Sequence, residues 1–219
     1  TVDLRPHMPP VYDQGQLGSC TANAVAGLVE YDRIRQGKPA LNPSRLFIYY
    51  NERMADGTVT SDAGSTIRES IKSVNDNGWC LESEWPYDES QFAVHPPADA
   101  YHHALSHKVK SYQAIPQTEY ALQLCLAQGN PITFGISVYS SFMSQDVAST
   151  GLVPLPTPGE SLEGGHAILI CGYNAQERTF LVRNSWGSSW GMNGYCLMPY
   201  EYVLDPNLAS DFWTIFWAP

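Results

Sequence analysis

Residues 164–200 read GGHAILICGYNAQERTFLVRNSWGSSWGMNGYCLMPY. Three apolar runs, HAILICGYN, TFLVRNSW and GYCLMPY, alternate there with turns built on Gly and Asn. Their length and their β-branched and aromatic content read as strands. ITFGISV at 132–138 makes a fourth, reached through a short helix over 117–128. Toward the N-terminus the texture turns helical. Residues 20–36 carry Val25, Leu28 and Val29 on one face and stop at Gly37. A second helix starts at Asn42-Pro43, a capping residue before a proline at the first helical position. It turns Leu46, Phe47 and Tyr50 inward and ends near Gly57. A third covers residues 65–77, with Ile67, Ile71 and Val74 at helical spacing and Gly78 as its end signal. The stretch WPYDESQFAVHPPADAYHH at 85–103 reads as an irregular connection. Helices in front and strands behind mean an α+β chain with segregated elements: a mainly helical domain over 1–107 and a sheet-rich domain over 108–219. Ligand sites often lie where two such units meet.

The chain has 219 residues, 43% of them hydrophobic and 16% charged, which is the composition of a folded protein of one or two domains. Twelve Lys and Arg against 22 Asp and Glu leave a net charge of −10, with no basic cluster. That balance excludes nucleic acid as the expected partner. The negative charge serves solubility or mildly favours cationic substrates. No apolar run reaches the roughly 18 residues of a membrane span. The opening residues TVDLRP read as the start of a mature or trimmed chain, with any leader or pro-segment outside it.

Five cysteines, an odd number, leave at least one thiol unpaired, and no CxxC pair is present. Cys80, Cys125, Cys171 and Cys196 sit in apolar or aromatic company and read as small buried hydrophobes. Pairing of Cys171 with Cys196, on strands read as neighbours, stays open. Cys20 differs, because in GQLGSCTANAVAGLVEYD it follows a glycine turn and opens a helical pattern. A helix N-terminus favours the thiolate, which is the nucleophilic form. Such a cysteine needs a base, and His166, opening a strand after two glycines, is placed to supply one. Asn184 begins a turn between strands, where its carbonyl can hold one nitrogen of that ring. Gln14, six residues before Cys20, carries an amide able to donate to an oxyanion beside the Cys20 backbone N–H. Each residue alone has an ordinary reading: a helix-start cysteine, a strand-end histidine, turn-forming Asn and Gln. Their combination in one chain is what argues for chemistry.

These motifs resemble the papain-like cysteine peptidases. The resemblance spans DLRP near the start, DQGQLGSCTANA around Cys20, DAGSTIRESIKSV, NGW and EWPY in the middle, and GGHAILICGYN with RNSWGSSWGMNGY behind. The order Gln, Cys, His, Asn agrees, and His166 follows Cys20 by 146 residues, inside the family's usual spacing of about 130–150. The resemblance implies a papain-like two-domain fold, with an antiparallel β-barrel-like second domain and a cleft between the domains. It implies a cysteine-type peptidase, an endopeptidase working through a thioester, and no cofactor or metal. Cys20 is then the nucleophile, His166 its ion-pair partner, Asn184 the ring-orienting group, Gln14 the oxyanion donor and Trp186 the indole covering the Asn–His bond. Gly18, Ser19, Gly64, Ser65 and Gly165 fall at substrate-backbone positions, and Ile67, Gly135 and Ala167 on the walls of the second subsite. A peptide or protein substrate, an inhibitory pro-segment outside this chain, a monomeric state and a secreted or extracytoplasmic setting are implied likewise.

Departures from the family pattern point to a divergent, prokaryotic branch. Leu17 stands where most members have a cysteine and Asp62 falls near its partner's position, so that disulfide is absent. Thr21 replaces the usual tryptophan after the nucleophile, and Ser65 replaces a glycine. The rival readings are a catalytically silent papain-like binding domain and an acyl transferase using the same triad. A zinc site is the least favoured: His103 and His107 share a face if that segment is helical, but HExxH and a third ligand are missing.

Overall fold

In the computed structural model, which describes residues 1–216, Cys20 is the first residue of the 16-residue helix α1 (Cys20–Arg35). Every residue of α1 from Thr21 to Arg33 is buried, so the expectation of a single inward face is too narrow. Ala22, Ala24, Ala26 and Gly27 keep the helix slim, and both α2 (Arg45–Asp56) and α3 (Ile67–Asp76) pack against it. α2 starts later than Asn42-Pro43, because Pro43 is held extended in a bridge with Leu81. Ser44 is its cap, with Oγ accepting the Phe47 N–H at 3.1 Å. α3 likewise begins after its Thr66 cap, whose hydroxyl accepts the Glu69 N–H at 3.1 Å. The stretch expected to be irregular contains a short 3-10 turn at Glu89–Gln91 and a helix, α4 (Ala98–Ala104). Pro97 opens α4, and only Ala100 and Ala104 of its seven residues are buried, too few to show a period. These elements belong to a unit made mainly of Gln14–Gln113.

The second unit is Ala114–Thr214 together with Thr1–Pro6 and Pro10–Asp13. The strands of the chain are β1 (Val2–Asp3), β2 (Ser111–Ala114), β3 (Ile132–Tyr139), β4 (Leu162–Asn174), β5 (Thr179–Arg183), β6 (Tyr195–Pro199) and β7 (Ala209–Phe216), of which all but Ser111–Gln113 of β2 and the last two residues of β7 belong to this unit. They form one sheet in the order β2-β7-β3-β4-β5-β6, with β1 also paired to β4; the pairings of β1, β3, β4, β5 and β6 are antiparallel. α5 (Glu119–Ala127), α6 (Gln145–Thr150) and α7 (Tyr200–Val203) connect them. Phe134, Ile168, Ile170, Phe180, Val182, Met198 and Phe212 fill the core of this unit.

β4 begins four residues before His166, since Gly164 and Gly165 already pair with Val138 and Ser137 of β3. In this register Ile136 lies opposite His166 and Gly135 opposite Ala167. Cys171 on β4 and Cys196 on β6 are not on neighbouring strands, because β5 lies between them. Two strand spacings are roughly 9–10 Å, beyond the ~7 Å Cα limit for a disulfide. None of the five cysteines is disulfide-bonded. Among the described residues no helix is long and apolar enough to cross a membrane.

Candidate active site

In the helical unit, Cys20 sits at the N-terminal end of α1 and is partly exposed, whereas the other four cysteines are buried. Burial pushes the Cys80 thiol up to about 12, Cys125 to about 11 and Cys171 to about 12, and it raises Cys196 as well. Those four are held as neutral thiols. Cys20 alone combines access with the positive end of a helix dipole.

The turn before Cys20 is tied down at several points. Gln14 is buried and its Nε2 donates to the Leu17 carbonyl at 3.0 Å. The Tyr87 hydroxyl donates to the Gln14 carbonyl at 2.7 Å and shares a 2.5 Å hydrogen bond with Ser19 Oγ. Ser19 is fully buried, and its Oγ and carbonyl both accept from Asn23 Nδ2. Arg45 completes the support: Nη1 donates to Asn23 Oδ1 at 3.0 Å, and the guanidinium lies 4.0 Å from the Tyr87 ring centroid. Glu89 accepts the Gln16 N–H at 3.1 Å. Tyr87, Asn23, Arg45 and Glu89 escape a reading of the sequence, since their role depends on contacts between distant segments. The nearest signal is the WPY stretch, which marks the region but not the bond.

Gly18 and Gly64 come together. A Cβ built on Gly64 meets the Gly18 carbonyl oxygen at 3.5 Å, and Gly64 has φ +69°, a left-handed conformation that favours glycine. The Gly18 N–H points at both oxygens of Asp62, at 3.0 and 3.1 Å. Asp62 also accepts from the Tyr49 hydroxyl, which in turn accepts the Gly64 N–H at 3.2 Å. Burial, then the bond to Asp62, raises the Tyr49 phenol and keeps it protonated. A carboxylate thus stands where the resemblance places a missing disulfide. Ser65 donates to Asp56 at 2.6 Å, and Ile67 opens α3 as a buried residue.

In the sheet unit, His166 is buried on β4 and its Nε2 lies 2.8 Å from Asn184 Oδ1. The same oxygen accepts the Ser185 N–H at 2.8 Å. A backbone N–H can only donate, so this contact assigns the Asn184 amide: oxygen faces the ring. Nε2 therefore carries the proton, and in the neutral ring Nδ1 is the basic nitrogen. Burial pushes the ring down to about 4, the Asn184 bond acting in the opposite sense. Trp186 stacks on His166 with centroids 4.8 Å apart and planes at 25°. Phe142 meets Trp186 edge-on at 5.6 Å and stacks on the buried Trp190 at 5.8 Å. The sequence singles out Trp186; Phe142 is missed because its Ser-rich surroundings show no period.

Asn184 follows the end of β5, and its N–H donates to the Gly194 carbonyl at 3.0 Å. Gly194 has φ +91°, and a Cβ there would lie 2.5–3.0 Å from Val11. Buried Arg183 reaches the Pro10 carbonyl at 2.7 Å and covers the Tyr12 ring at 4.8 Å. The segment Pro10–Asp13 thus braces the Asn184 turn and accounts for Gly187 and Gly194, whereas Gly191 makes room for the Tyr195 carbonyl and Gly151. Gly135 and Ala167 are opposed on β3 and β4, and Gly165 is exposed next to His166.

The histidine pair does not form the expected helical face. α4 stops at Ala104, so His107 lies beyond it and stacks on Trp79 at 4.5 Å, while His103 pairs with Glu84 at 2.5 Å. Among the described residues no group of three or more His, Cys, Asp or Glu could hold a metal ion.

A sequence profile of the papain family cysteine proteases matches residues 1–210. The chain belongs to the papain family of cysteine proteases. This papain-family chain is 48% identical over 212 residues to an uncharacterized peptidase C1-like protein of Acanthamoeba polyphaga mimivirus, covering 93% of this chain and 68% of that protein. It is 31% identical over 199 residues to cathepsin K of Gallus gallus, covering 88% of this chain and 55% of the cathepsin. The chain thus spans little more than half the length of some of its relatives. Among solved structures, xylellain, a cysteine protease from Xylella fastidiosa, is 43% identical with a TM-score of 0.91, over 98% of this chain and 84% of that one. The Carica candamarcensis cysteine protease CMS1MS2, solved with E-64, shares the fold at 21% identity, with a TM-score of 0.71 over 98% of this chain and 96% of that one. The fold is papain-like.

Proposed function

We propose that this chain hydrolyses peptide bonds, internal ones in preference to chain ends, through Cys20, His166 and Asn184. The observation that carries the reading is the buried His166–Asn184 pair, whose hydrogen-bond pattern leaves Nδ1 as the basic nitrogen. In the proposed reaction the Cys20 thiolate attacks the scissile carbonyl carbon. The oxyanion takes hydrogen bonds from the Gln14 amide and the Cys20 backbone N–H. His166, as imidazolium, gives its proton to the leaving amine when the C–N bond breaks, leaving a thioester on Cys20. Water, losing its proton to His166, then cleaves the thioester and restores the thiolate. Gly18, Ser19, Gly64, Ser65 and Gly165 are proposed to meet the substrate backbone, with Ile67, Gly135 and Ala167 lining a pocket for an apolar side chain. Domains split near residue 107, a monomeric state and restraint by a pro-segment complete the proposal.

The test uses an internally quenched peptide and a peptidyl epoxide. Selective labelling of Cys20, loss of turnover in Cys20→Ala with the fold retained, and a roughly 10²–10³-fold lower kcat in Gln14→Ala are expected. Full activity in Cys20→Ala overturns the assignment. Absent selective labelling would mark a silent binding domain, and products joined to an added amine would mark an acyl transferase.

A further inference from the structure

Glu52, near the end of α2, is a carboxyl with no exposed surface and no place in the mechanism above. Its Oε1 accepts the Thr21 hydroxyl at 2.6 Å, and Thr21 is the residue after Cys20. Ser70 of α3, also fully buried, lies beside the carboxyl; neither Oε2 nor the Ser70 hydroxyl has a partner with good hydrogen-bond geometry. The titratable and charged groups acting on Glu52 are Cys20 from α1 and Arg53 from its own helix, while α3 contributes the neutral Ser70. The Arg53 guanidinium is committed to the carbonyls of Tyr49, Val59, Ser61 and Phe92. Glu52 therefore forms no ion pair, and a dry, unpaired carboxylate is costly enough that such a group keeps its proton instead. Burial pushes it up to about 8; the Cys20 charge adds to the rise, while Ser70, Thr21 and Arg53 oppose it.

We propose that Glu52 is a positioning residue for Cys20 that works while protonated: as a neutral acid it ties Thr21 and the first turn of α1 to α2 without setting a charge near the sulfur, and once ionised it opposes the thiolate. The inference rests on Cys20 being the nucleophile. Repulsion between the two anions is mutual, so each makes the other harder to form. A helix start that favours the thiolate is thus guarded by an acid that must stay neutral, and loss of its proton closes the nucleophile on the alkaline side. Thr21, in the place where the family usually has tryptophan, supplies the hydroxyl that the carboxyl holds.

The test follows alkylation of Cys20 by iodoacetamide and kcat/KM from pH 6 to 10, each profile scaled to its own maximum. Wild type, Glu52→Gln and Thr21→Val are compared. Gln keeps the oxygen that accepts from Thr21 but carries no charge. Its profile is expected to lack the inflection that Glu52 adds on the alkaline side, keeping only the one His166 sets, and to differ from wild type by about tenfold in thiolate fraction on the steep limb, the size of a one-unit displacement. Thr21→Val removes a donor that favours ionised Glu52, so its inflection moves to higher pH. An infrared difference spectrum between wild type and Glu52→Gln at pH 7 should show a protonated carboxyl. Superimposable scaled profiles, or a carboxylate in that spectrum, overturn the proposal. A merely structural Glu52 would lower rates without moving the profile, which counts against it. Should Cys20 fail to react selectively even in wild type, the nucleophile reading falls first and this inference with it, a result distinct from a reactive Cys20 indifferent to Glu52.

Discussion

Taking the His166 ring out of water penalises its charged form, and one hydrogen bond to Asn184 offsets only part of that. The ring is therefore a neutral base until another anion meets it, which is the state a general base must start from. Removing the sulfur isolates this property. In Cys20→Ala, His166 is expected to stay neutral until the pH falls toward about 4. The unfolded ring takes its proton near 6.5. Between those values the unfolded chain binds the extra proton, so stability rises with pH from about 4 to 6.5 and is lost as pH falls, by at most about 1.4 kcal/mol per pH unit. Denaturant unfolding of Cys20→Ala with and without His166→Gln, at half-unit steps, reads this directly. A difference between the two that does not vary with pH would remove the buried-neutral description.

At the scale of elements, the turn before α1 is the part with most to lose. Two carboxylates, Glu89 and Asp62, accept its backbone N–H groups, and Asp62 also reaches Tyr49 and, through it, Gly64. Asp62→Ala leaves the Gly18 N–H without this acceptor and loosens the Gly18–Gly64 approach. We expect kcat/KM to fall about ten- to hundredfold, the scale of a misplacement near 1 Å. Asp62→Asn should recover part of it, because its side-chain oxygen still accepts one N–H. Rates equal to wild type in Asp62→Ala would show the turn to be held by other contacts. The resemblance places Asp62 near residue 17 of this turn, but the hydrogen bonds it makes to Gly18 and Tyr49, and the part played by Glu89, are not legible in the sequence. The helices α2 and α3 are legible because apolar spacing and terminal glycines agree there, although their caps, Ser44 and Thr66, lie later than the starts read at Asn42-Pro43 and Ser65. Two-residue β1 and four-residue β2 carry no readable period, and β7 mixes exposed and buried residues without clean alternation. Cys20 stands out by opening α1, Asn184 by following β5 and His166 by the two glycines before its apolar run, although it lies inside β4, whereas Tyr87 and Phe142 act only through contacts across long sequence separations.

Across the whole molecule, stability comes without a covalent crosslink. Four of the five cysteines lie inside packed clusters or strands, dry and held as neutral thiols, and Cys20 alone is partly exposed. Reactivity toward an alkylating agent requires both access and thiolate character. The native protein is therefore expected to take up one iodoacetamide adduct per chain, at Cys20, while the denatured chain takes up all five. The same arrangement predicts that a strong reductant leaves the thermal midpoint where it is, since no disulfide exists whose loss would free the unfolded chain. Intact mass and peptide mapping count the adducts, and scanning calorimetry reads the midpoint. A second rapid adduct would locate a thiol that opens from its cluster faster than burial implies, and a midpoint lowered by reductant would require a crosslink between cysteines that β5 holds apart in the case of Cys171 and Cys196.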